Sequence, residues 1–172
     1  MRRVAEKRER GFSILELLFA SAILLFGIVA VAQLVPASLR SSLANRLDTM
    51  ATVIAQRELD QMISQPLSVT IFADQDGRLI SLGGAGSPGA ALVPGATPAQ
   101  IDFGAPPVAG FNIATYVDIN DPSRAQFELR WAVIPEVVAG TVVSKRIIIG
   151  CRQKSASEPI LPVNLDTWVQ KF

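Results

Sequence analysis

The sequence predicts an α+β chain, with a long N-terminal helix packed on a C-terminal antiparallel β-sheet. Three observations carry that expectation. Leu17 to Leu39 is a run of 23 residues without a formal charge. From Ser38 to Ile63 the apolar residues recur at steps of three and four, the spacing of one helix face. Beyond residue 110 the chain turns to short apolar runs and alternations punctuated by turn residues, the pattern of strands.

Composition narrows the chemistry. The 172 residues are 49% hydrophobic and 18% charged, with one Cys, no His and a net charge of +1. Without His the chain lacks the commonest general base and the usual zinc ligand. A single thiol, Cys151, cannot close an intrachain disulfide or supply a thiolate metal cluster. The near-neutral balance argues against electrostatic binding of nucleic acid, which needs a clustered basic face. No enzymatic activity, cofactor, metal or nucleic-acid partner is expected.

The charge is unevenly placed. In residues 1–11, Arg2, Arg3, Lys7, Arg8 and Arg10 outnumber Glu6 and Glu9, and the rest of the chain is mildly acidic. The apolar run that follows exceeds the roughly 20 residues needed to cross a membrane. It is also longer than the roughly 7–15 residues of a secretory signal's apolar core. Positive charge before the span puts the N-terminus in the cytoplasm. Glu16 breaks the apolar pattern near the start of the span. A carboxylate at the middle of a span costs about 2.5–3.5 kcal/mol; near an end the side chain can snorkel to the interface at lower cost.

Arg10-Gly11-Phe12-Ser13-Ile14-Leu15-Glu16, leading into the long apolar helix, closely resembles the class III signal of type IV prepilins and pseudopilins. The resemblance implies cleavage by prepilin peptidase after Gly11 and N-methylation of the new first residue, Phe12. It implies a subunit-assembly role for Glu16, whose carboxylate would pair with the cationic terminus of a neighbouring subunit. The fold it implies is pilin-like: a cleaved basic leader at 1–11, a transmembrane and polymerisation helix at 12–37, and a globular head at 38–172.

In the amphipathic half, Leu43, Leu47, Met50, Ala51, Ile54, Ala55, Leu59, Met62 and Ile63 form the stripe expected to cover a sheet. Arg57 can meet Asp60 at i,i+3, and Pro66 stops the helix. Gly27 and Pro36 weaken its interior, with a kink expected near Pro36. The helix proline common in pilins would fall at Gln33, so Pro36 is out of register with it.

Residues 68–82 read as a hairpin turning at Asp76-Gly77. Asp74 and Asp76 resemble part of a calcium loop, but the later ligands and the terminal Glu of that motif are missing. Residues 81–110 hold seven Gly and five Pro, with charge only at Asp102, and read as a long, mobile, irregular loop. Its Gly84-Ala-Gly86-Ser-Pro88-Gly89 matches a dinucleotide fingerprint in letters, yet no helix follows it. Phe111–Asn120, Gln126–Val138 and Thr141–Cys151 then read as a three-stranded meander. Asn120-Asp121-Pro122 marks a turn, and Phe127, Leu129, Trp131 and Val133 share one face. Pro159, Leu161, Pro162, Leu165 and Trp168 are expected to pack the tail back. Cys151 falls at a strand end, without the second cysteine that closes the C-terminal loop of many major pilins.

These readings converge on a minor type IV pilin, processed by prepilin peptidase and assembled with other pilins through its N-terminal helix. Ala55–Met62, and Phe127–Val133 with Ser144–Ile149, look similar to minor pilins of the pilus-modification type. A type II secretion minor pseudopilin is the alternative, and a membrane-anchored periplasmic binding domain is the alternative of a different class. The expected location is the inner membrane, single-pass, followed by a surface pilus or a periplasmic pseudopilus.

Overall fold

The computed structural model describes residues 13–83, 88–117, 124–154 and 161–170. The chain divides into two compact units, Met1–Leu43 and Ala44–Phe172. A single helix, α1 (Ile14–Ser64), belongs to both and contains Pro36 within an unbroken helical run. The fold is α+β and pilin-like in architecture: one long N-terminal helix and a C-terminal four-stranded antiparallel sheet.

From Ile14 onward the first unit is helix. Ser13 caps it, its hydroxyl accepting the Leu15 N–H at 3.3 Å and its carbonyl the Leu17 N–H at 3.1 Å. That satisfies donors which an uncapped first turn would leave bare. Every described residue from Ser13 to Arg46 is exposed. By length and composition the segment is long and apolar enough to cross a membrane.

In the second unit the helix behaves as its stripe predicts. Leu47, Ala51, Ile54, Ala55, Leu59 and Met62 are buried against one face of the sheet. Leu43, the first residue assigned to that stripe, is instead exposed. A hairpin of β1 (Ile71–Ala73) and β2 (Leu79–Ser81) comes next, turning at Gly77 with φ of 77°. The meander then runs in order through β3 (Asn112–Val117), β4 (Gln126–Val138), β5 (Thr141–Gln153) and β6 (Val163–Gln170). Phe127, Leu129, Trp131 and Val133 of β4 all face the helix in the main core, as their alternation predicts. The β4–β5 loop is Ala139-Gly140, both at positive φ, the sense that matches strand twist in a two-residue hairpin. The turn assigned to Asn120-Asp121-Pro122 lies outside the described residues.

Two expectations need correction. The tail forms a fourth strand, β6, paired with β5 from Cys151↔Val163 to Ser144↔Gln170. Arg146 of β5 holds it through a two-pronged contact to Asp166, at 2.9 and 2.6 Å, and lies 5.7 Å from the centre of the Trp168 ring. The second correction concerns residues 88–110, which pack on the sheet as a third layer. Ala90 and Ile101 join Ala132 and Ile148 in a small core on the face away from α1, with Leu92, Ala99 and Phe103 against it. Backbone bonds tie the loop to β4: the Val133 N–H donates to the Pro88 carbonyl at 2.7 Å, and the Ala90 N–H to that of Trp131 at 2.9 Å. The segment lacks regular structure but has a core of its own.

Candidate functional site

Of the residues singled out from sequence, Gly11 and Phe12 lie outside the described residues. Glu16 sits in the first turn of α1 and is exposed. Its carboxylate is near the helix end where backbone N–H groups concentrate positive potential. Residues at i+3, i+4 and i+7 share its face, and here those are Phe19, Ala20 and Ile23, all exposed. The face therefore presents one acid on an otherwise apolar surface. Further along, Ile23, Leu24, Gly27, Ile28, Val31 and Ala32 line a shallow apolar groove. A Cβ built on Gly27 would meet nothing within 4 Å, so the groove is open at its middle. Such a surface suits close approach by another helix, which small residues permit.

Among the described residues the head contains two charged clusters centred on buried carboxylates, and sequence reasoning missed the centre of each. The first is on the loop-covered face of the sheet. Glu128 and Arg130 are buried, and the Glu128 carboxylate accepts from Arg130 Nε at 2.7 Å and Arg152 Nε at 2.9 Å. Both guanidiniums lie over the Phe103 ring, at 5.2 and 4.8 Å from its centre. Arg130 also donates to the Ala105 and Asp102 carbonyls. Burial pushes the Glu128 carboxyl up, but hydrogen bonds and charge from the two arginines outweigh it and hold the group below the ordinary carboxylate range. The cluster fastens the Gly/Pro-rich segment to the sheet. A charged residue beside an apolar one in a strand normally points to solvent, so only the overlying loop turns Glu128 and Arg130 inward.

The second cluster lies where α1 meets the β1–β2 hairpin. Glu58 is 1% exposed and sits among the apolar residues of the helix stripe. Neither of its carboxylate oxygens has a hydrogen-bond partner. Its pKa is raised, first by burial and then by the nearby Asp74 charge; Asp76 adds to this, while Arg57 and Arg78 oppose it. Arg57, expected to meet Asp60, donates to the Tyr116 hydroxyl at 2.8 Å and lies 3.6 Å from Asp76. Arg78 contacts Asp74 at 3.3 Å and Asp76 at 3.0 Å. The Asp74 carboxylate shapes the turn by accepting the N–H groups of Asp76 and Arg78.

Cys151 is buried inside β5, and burial pushes its thiol up to about 12. It stays protonated and unreactive at neutral pH. Lys145 is buried too, its ammonium donating to the Val69 carbonyl at 2.7 Å, and burial pulls its pKa down. That bond ties the start of the hairpin segment to β5.

Comparison with known proteins places one motif. Residues 7–32 match the family model described as the prokaryotic N-terminal methylation motif. No curated protein and no solved structure matches the chain.

Proposed function

We propose that this chain, which carries the class III signal of type IV pilins and pseudopilins on a pilin-like architecture, is a minor type IV pilin. Pilins of this kind are structural, and their motif implies processing by prepilin peptidase and assembly with other pilins. The observation that carries the reading is the motif at 7–32, continuous with a helix whose residues from Ser13 to Arg46 are exposed. Leader 1–11 is removed after Gly11, Phe12 is methylated, and residues 12–37 hold the subunit first in the inner membrane and then in a filament. The head, 38–172, is displayed outside. A type II secretion minor pseudopilin would use the same motif, and a filament recovered from the cell surface separates the two. Mass spectrometry of the mature chain is expected to find methylated Phe12 as its first residue. Any other N-terminus would remove the assignment.

Glu16 supplies the second test. Methylation leaves the terminal amine cationic, and a carboxylate in apolar surroundings is tolerable when paired with such a cation. Glu16→Gln makes the span less costly to bury, so insertion and cleavage are expected to proceed. Pairing with a neighbour's terminus is lost, and immunoblots of sheared filaments against membrane fractions are expected to give a filament share reduced roughly tenfold or more. Tenfold corresponds to about 1.4 kcal/mol, a lower bound that falls well short of the roughly 3–5 kcal/mol for breaking one side of a buried pair. Equal ratios for variant and parent would mean that Glu16 merely snorkels.

A further inference from the structure

Glu58 poses a problem that the assembly reading does not touch. It is almost fully buried, has no hydrogen-bond partner at either oxygen, and faces two further carboxylates. A carboxyl oxygen of Glu58 lies within 4.8 Å of oxygens from Asp74 and Asp76, which are within the same distance of each other. A divalent cation of the calcium class holds oxygens at about 2.3–2.6 Å. Oxygens on opposite sides of such an ion are therefore about 5 Å apart, so the triad has the dimensions of its coordination shell. All three ligands are hard oxygens, the donor type that calcium selects.

We infer that Glu58, Asp74 and Asp76 bind a calcium ion that joins α1 to the β1–β2 hairpin. The charge balance supports an added cation: three carboxylates face two guanidiniums, those of Arg57 and Arg78, and neither bonds to Glu58. Arg57 and Arg78 hold the two aspartates and lower the Glu58 pKa, yet burial and the aspartate charges outweigh them. Burial and the Asp74 charge raise the Glu58 pKa because the two arginines compensate its ionised form only in part, and a bound calcium would add the cation it lacks. The turn is suited to hold the ion, because Asp74 Oδ1 already accepts two backbone N–H groups that fix the carboxylate's direction. Asp74 and Asp76 alone read as a fragment of a calcium loop. The missing acid comes from 16 residues upstream on a different element, beyond the reach of any local motif.

The test uses the full chain purified in detergent and stripped with a chelator, with Ca2+ itself as the probe. Calorimetric titration is expected to give one saturable site per chain, with a raised unfolding temperature on Ca2+ addition. Asp76→Asn, on a part-exposed turn side chain, should keep the fold and weaken binding tenfold or more; Glu58→Gln should abolish it. Neither heat nor thermal shift up to about 10 mM Ca2+, beyond the roughly millimolar range of weak extracellular calcium modules, would overturn the site. So would binding that both variants leave unchanged, which would place the ion elsewhere. If Glu58→Gln raised the stability of the stripped chain while Ca2+ shifted neither protein, Glu58 would be a carboxyl that stays protonated, and the inference would fail. None of these readouts depends on cleavage or filament assembly.

Discussion

Replacing Glu128 with Leu should lower the stability of the head by about 3 kcal/mol, among the largest effects of any single change on its surface layers. The carboxylate neutralises two arginines, and Arg130 is 5% exposed with nowhere to carry its charge. Breaking a buried pair from one side costs about 3–5 kcal/mol because the remaining charge is stranded. The lower end applies here, since the Arg152 side chain is 37% exposed and can turn to water. Thermal unfolding of the full chain in detergent, followed through the fully buried Trp131, is the measurement. A drop of roughly 10 °C is expected for a domain of this size. Asp166→Asn, which breaks the exposed contact with Arg146, should shift the midpoint far less. A Glu128→Leu midpoint no lower than that of Asp166→Asn would show that the loop is held by its apolar contacts alone.

The same carboxylate gives the head an acid limit with a definite sign. Its folded pKa is lowered from the ordinary 4.5. Its contribution is complete above the unfolded value, begins to fall near pH 4.5 as the unfolded chain takes up a proton, and is gone below the folded value. A pH series of unfolding midpoints is expected to show this acid slope in the parent and a shallower one in Glu128→Gln.

Gly89→Val should be at least as damaging, near 4 kcal/mol, in the upper tail of single substitutions. Gly89 has a φ of 97°, and a Cβ there would lie 2.7 Å from the Trp131 carbonyl oxygen and 2.5 Å from Phe111 Cδ1. The contact with backbone cannot be relieved by a rotamer change. The segment would have to lift off β4, losing the bonds from Ala90 to Trp131 and from Val133 to Pro88. Gly95→Ala is the control, with φ of 75° and nothing within 4 Å of the new Cβ. It should cost about 1–2 kcal/mol, the penalty of left-handed backbone alone. Equal losses for the two variants would mean that the close approach to Trp131 contributes nothing.

What the sequence made legible, and what it did not, follows from where each signal resides. The span, the helix stripe from Leu47 to Met62 and the inward face of β4 are periodic within one element, so a local reading finds them. β6 was obscure because it is an edge strand with a single buried hydrophobic, Val169, amid Asn164, Asp166 and Thr167. Its register comes from β5. The third layer was obscure for a related reason: Gly and Pro announce irregular backbone, but not whether that backbone packs. Even the glycine-rich string read as a false nucleotide motif has a structural use, since Gly89 lets the chain pass against a carbonyl. Of the candidate site residues, Gly11, Phe12 and Glu16 lie within one short string, Arg10 to Glu16, and are visible at once. Glu58 was hidden because its companions join it through the fold.

Within the loop layer, Leu92 bridges Ile101 and the Val93 N–H donates to the Gln100 carbonyl at 2.9 Å, closing residues 94–99 into a small outer finger. Pro94 and Gly95 at its tip are exposed, while Ile101 and Phe103 just beyond it lie against Gly150. A fluorophore-bearing cysteine at Gly95 would therefore cost only the roughly 1–2 kcal/mol of left-handed backbone, since the extra atoms enter water and the bridge below keeps the ends together. The same label eight residues later, at Phe103, would wedge between loop and sheet. A segment of uniform composition thus contains a handle by which the chain can be visualised and a position where touching it would dismantle the layer.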